Sequence, residues 1–83
     1  MFKIEWKDGA IKEVQKLEVN ISRRIYNKVE ELSEDPFSKD IKKLKGTGDY
    51  RLRVGDYRVI FEMQKDIIII LKVGHRKNIY DRI

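Results

Sequence analysis

The chain predicts an α+β fold of order β-α-α-β-β-β, with two antiparallel helices packed on one face of an antiparallel sheet. Two observations carry this. Apolar residues recur at helical spacing in two early segments, Ile11, Val14 and Leu17, then Ile21, Ile25, Val29 and Leu32. From Tyr50 onward the spacing changes to alternation, as in half-buried strands. With 83 residues and 41% hydrophobic content, the whole of 1–83 is expected to form a single domain.

Each element can be justified in turn. Phe2, Ile4 and Trp6 alternate with Lys3 and Glu5, which predicts a first strand. Asp8 is placed to cap the first helix and Asn20 the second, with a short break near Glu18. Pro36 ends the second helix, because the residue before a proline avoids the helical region. Three strands are expected at Tyr50–Val54, Tyr57–Met63 and Ile67–Val73. In the last, the row Ile67, Ile69, Leu71 and Val73 is expected to face the helices, because it is wholly apolar.

The segment Tyr50-Arg-Leu-Arg-Val-Gly-Asp-Tyr-Arg-Val-Ile-Phe61 is the most informative. If Gly55 and Asp56 make a two-residue turn, Val54 pairs with Tyr57, Leu52 with Val59 and Tyr50 with Phe61. Arg53 then stands directly across from Arg58, with Arg51 along the same face. Like charges opposite each other on a sheet repel. An anionic ligand would relieve that repulsion, and phosphate is the obvious one. Lys72 and Arg76 are expected to join this face.

Composition narrows the function. Nineteen Lys+Arg against fourteen Asp+Glu give a net charge of +5, which favours a polyanionic partner, either nucleic acid or an acidic protein. The absence of cysteine excludes disulfides, thiol chemistry and thiolate metal sites, and one histidine makes a His-based zinc site improbable. No metal and no small-molecule cofactor is therefore expected. The N-terminus lacks the apolar core of a signal peptide, and no run approaches the roughly 20 apolar residues of a membrane span. A soluble cytoplasmic protein is expected.

The element order, the segment Lys43-Leu-Lys-Gly46, the strands Tyr50-Arg-Leu-Arg53 and Asp56-Tyr-Arg-Val-Ile-Phe61, and the ending Val73-Gly-His-Arg-Lys-Asn-Ile-Tyr80 together resemble the RelE/ParE toxin superfamily. The likeness covers nearly the whole chain and is greatest to the RelE branch of mRNA interferases. It implies the toxin of a type II toxin–antitoxin pair, a ribosome-dependent endoribonuclease that cuts translated mRNA in the ribosomal A site by metal-independent attack of the RNA's own 2′-oxygen. Its implied partners are the ribosome with its mRNA and an acidic, RelB-like antitoxin.

Carried over residue by residue, the resemblance makes Arg51 and Arg53 the two cations of the second strand. Arg58 is the arginine after the aromatic of the next strand. Arg76 follows the last strand's glycine, and Tyr80 is the C-terminal tyrosine. Arginine stays charged at any physiological pH, so Arg51, Arg53, Arg58 and Arg76 read as phosphate clamps and transition-state stabilisers, with Arg76 the main charge stabiliser. Tyr80 is the candidate base, provided cations lower its ordinary value of about 10. His75 is the candidate acid. Lys43, Lys45 and Lys72 add RNA-binding charge. Two rival functions follow from the same residues: a ParE-like inhibitor of DNA gyrase that cuts nothing, and a plain RNA-binding module.

Overall fold

A computed structural model describes residues 1–46 and 48–79. Its elements are β1 (Lys3–Trp6), α1 (Asp8–Gln15), α2 (Val19–Glu31), β2 (Ile41–Lys43), β3 (Tyr50–Val54), β4 (Tyr57–Gln64) and β5 (Ile67–His75). The strands form one sheet in the order β1-β5-β4-β3-β2. Two helices on one side of a sheet match the expected α+β architecture. The sheet itself, however, is mixed and gains a strand. β1 runs parallel to β5, pairing Lys3 with Ile67 through to Trp6 with Ile70. Parallel neighbours need a long crossover, and here α1 and α2 lie within that connection. β2 is three residues long, too short to show an alternation in sequence.

The helix starts differ from expectation by one residue for α1 and by two for α2. Lys7 and Glu18, not Asp8 and Asn20, occupy the cap positions, and neither makes a side-chain cap bond. The sheet sets the first of these turns. The Lys7 N–H donates to the Ile70 carbonyl at 2.9 Å, so the chain is still strand-bonded one residue before α1. Asp8 falls in the first helical turn, where its carboxylate favours the positive end of the helix dipole.

One apolar cluster joins both layers. Ala10 and Val14 of α1, Ile25, Val29 and Leu32 at and beyond α2, and Leu52, Val54, Val59, Phe61, Ile68, Ile70 and Val73 of the sheet are all buried. Fully burying a side chain of the Leu, Ile or Phe kind stabilises by about 1.5–3 kcal/mol. Tyr50 stacks on Phe61 at 5.5 Å on this side.

The facing of β5 differs from expectation. Ile68, Ile70 and Val73 are buried against the helices, while Ile67 and Ile69 lie on the other face. The cause is a bulge. Ile60 pairs with Lys72 but Phe61 pairs with Ile70, leaving Leu71 as the extra residue. A five-residue apolar run, Ile67–Leu71, has no polar position to betray which face is which. No helix among the described residues is long and apolar enough to cross a membrane.

Candidate nucleic-acid interface

The β3–β4 hairpin has the register the sequence implies. Tyr50 pairs with Phe61, Leu52 with Val59, Arg53 with Arg58 and Val54 with Tyr57. Gly55 holds φ +59°, the left-handed value that a tight hairpin turn requires. Because paired residues share a face, the cations fall into two cross-strand rows on the side away from the helices. One row runs Lys42, Arg51, Ile60 and Lys72 across β2, β3, β4 and β5. The other runs Arg53, Arg58 and Gly74. Neighbouring strands lie about 4.8 Å apart, so charges along a row are close enough to share one phosphate or bridge two.

Ile60 shows why the rows are built this way. It faces the arginines, not the helices, and yet is only 2% exposed. Its row neighbours are long basic side chains, whose hydrocarbon stems can cover an apolar floor while their charged ends stay in water. Among the described residues the buried Nε atom of Arg58 has no hydrogen-bond partner.

The facing arginines avoid each other by turning to different partners. Arg53 Nη2 bonds Asp40 Oδ1 at 2.9 Å, and its backbone N–H donates to the Asp40 carbonyl. That guanidinium hydrogen bond holds the Asp40 carboxyl below its ordinary range, against partial burial, which acts the other way. Arg58 Nη1 donates to the carbonyls of Gly55 and Tyr57 at 2.8 and 2.9 Å. Part of the repulsion inferred from sequence is thus relieved by Asp40 rather than by a ligand. Arg76 approaches the same turn. Its N–H donates to the Asp56 carbonyl at 2.8 Å, and its Nε lies 3.7 Å from Asp56 Oδ1.

The structure separates some of the expected site residues. His75 pairs with Tyr57, packs edge-on against its ring at 5.3 Å and so lies on the helix side. Its Nδ1 accepts the Lys77 N–H at 3.2 Å. With Glu13 and Lys16 it borders a cleft of about 420 Å³ beside β5. Lys43 pairs with Tyr50 and shares that residue's face, opposite the arginines. Its neighbour Lys42, which alternation alone could not place, is the one aligned with Arg51. Lys45 is exposed in the β2–β3 connection, off both rows. Gly74 leaves space under the second row that Ile79 fills; a Cβ there would sit 3.5 Å from Ile79 Cβ and Cδ1. Tyr80 lies outside the described residues.

Sequence and fold comparisons place this fold among known proteins. The family of ParE toxins of type II toxin–antitoxin systems, parDE, matches residues 4–80. Toxin RelE3 of Methanocaldococcus jannaschii is 41% identical over 84 aligned positions, covering 95% of this chain and 96% of that protein. The RelB–RelE antitoxin–toxin complex from Methanococcus jannaschii superposes with a TM-score of 0.77 at 35% identity, over 94% of this chain and 96% of that one. The archaeal RelE–RelB complex from Pyrococcus horikoshii OT3 does so at 0.81 and 32%, over 93% and 97%. This chain belongs to the RelE/ParE superfamily of type II toxin–antitoxin toxins. Within that superfamily it is a RelE-family toxin.

Proposed function

We propose that this toxin cleaves translated mRNA in the ribosomal A site, without metal, by attack of the RNA's 2′-oxygen on the adjacent phosphorus. The attack breaks the bond to the 5′-oxygen and leaves a 2′,3′-cyclic phosphate and a 5′-hydroxyl. The supporting observation is the pair of basic rows, with Arg58 and Arg76 both held at the Gly55–Asp56 turn. A phosphodiester lying there meets guanidinium donors in fixed positions, which stabilise the charge that develops on phosphorus. Arg51, Arg53, Lys42 and Lys72 track the backbone on either side. Tyr80, in its phenolate form, is the proposed base that takes the 2′ proton, and water supplies the proton that the departing 5′-oxygen needs. His75, across the sheet from the arginines, suits a structural role at the end of β5 better than that of acid.

The solved relatives are RelB–RelE complexes, and the partner proposed here is likewise an acidic, RelB-like antitoxin. The test is primer extension on translated mRNA after induction. Discrete cuts within codons, lost in Tyr80→Phe and retained in His75→Ala, are expected. The match to the ParE family favours one second reading, gyrase inhibition; intact mRNA with arrested supercoiling would establish that instead.

A further inference from the structure

The Gly55–Asp56 turn carries a third guanidinium that the site above leaves unused. Arg24, exposed on α2, lies against Gly55: a Cβ built there would come within 3.3, 3.5 and 3.7 Å of its Nη2, Nη1 and Cζ. Its two terminal nitrogens lie nearer than Cζ, so the guanidinium meets the turn with its Nη end. The same residue that allows the tight turn, with φ +59°, therefore also makes room for Arg24. The arginine borders a small cleft with Ile21, Val54, Asp56 and Tyr57. Among the described residues it has no hydrogen bond and no ion pair.

A cation serving only to fasten α2 to the turn would place its donors on acceptors. Arg24 instead meets the turn while remaining exposed and, among the described residues, unpaired, so its donors stay available to an anion. Among the described residues, three guanidinium groups then meet at one two-residue turn, from α2, from β4 and from the segment after β5, against one carboxylate, Asp56. That is an excess of positive charge at the rim of the basic face.

We infer that Arg24 is a further RNA-binding residue, which grips a backbone phosphate from the helix side where RNA bound on the arginine face passes the turn. This rests on reading that face as an RNA site. Arg24 reaches the turn from α2, on the side opposite Arg58, so its contact is to a neighbouring phosphate and it acts on binding rather than on the chemical step.

The test uses the full chain and ribosomes carrying an mRNA with a 2′-deoxy substitution at the cleavage position, so that binding is read without reaction. Affinity is followed from 50 to 200 mM salt. For Arg24→Gln the log–log salt slope is expected to fall by about 0.7–0.9, the loss of one phosphate contact. Arg24→Lys should keep most of the slope, and both variants should melt with the wild type. On cleavable mRNA, Arg24→Gln should raise KM several-fold and leave kcat unchanged. An unchanged slope in Arg24→Gln, alongside normal wild-type cleavage, overturns the Arg24 contact and leaves the nuclease reading standing. A reduced slope with no cleavage by the wild type supports the contact and sinks the nuclease reading. Wild-type protein that does not bind the ribosome at all overturns both.

Discussion

The face turned away from the helices is two surfaces on one sheet. Across β2, β3, β4 and the second half of β5, the row Lys42–Arg51–Ile60–Lys72 sets an isoleucine among cations. Across β1, the first half of β5 and the far end of β4, the row Glu5–Ile69–Glu62 sets an isoleucine between carboxylates. Ile60 is covered, whereas Ile69 is only half-buried. The bulge at Leu71 separates the two halves. The contrast shows how a small sheet can be given a direction. The first half attracts a polyanion, whereas on the second Glu5 and Glu62 outnumber Lys3, and long basic stems can cover the apolar floor of the first.

Breaking the charged half should have the largest effect. Arg58→Ala is expected to lower kcat for mRNA cleavage on ribosomes by roughly 10²–10³, the usual loss when one preorganised donor to a developing charge is removed. Glu62→Ala, on the opposite half, should leave kcat within about twofold. Equal losses in the two variants would erase the distinction between the halves.

The bulge offers a stability test of the same contrast. Ile70→Ala should cost about 2–5 kcal/mol in denaturant unfolding, because Ile70 is fully buried in the core. Ile69→Ala, on the half-open face, should cost less than about 1.5 kcal/mol. The reverse ranking would mean that the strand faces the other way.

The smallest expected effect concerns Asp40. Its carboxyl is held below its ordinary value by Arg53, so the stability it contributes is present above the unfolded-state value and lost as pH falls through the folded-state one. Asp40→Asn should therefore melt slightly below the wild type at neutral pH, with the gap closing in acid. Freed from Asp40, Arg53 should also steepen the salt dependence of ribosome binding.

The hairpin and its facing arginines were legible because a two-residue turn dictates register and alternation dictates face. Ile25, Val29 and Leu32 were legible as core for a similar reason, since one helical stripe has one buried side. The orientation of β5 was not, because Ile67–Leu71 is apolar throughout and an added residue reverses the face without altering the pattern. The basic stretch Lys42–Lys45 gave charge without direction. Only the three-residue pairing of β2 with β3 turns Lys42 toward Arg51 and Lys43 away.

By itself, the order of residues determined every element but β2, the turn at Gly55–Asp56 and the presence of like charges on facing strands. These are local matters of period, φ and spacing. Tertiary structure alone decided that β1 closes the sheet beside β5, that Asp40 neutralises Arg53, that His75 lies behind the arginines and that Arg24 reaches their turn. Each depends on segments distant in sequence meeting in space, and that placement is set by burial of the shared core rather than by any local pattern.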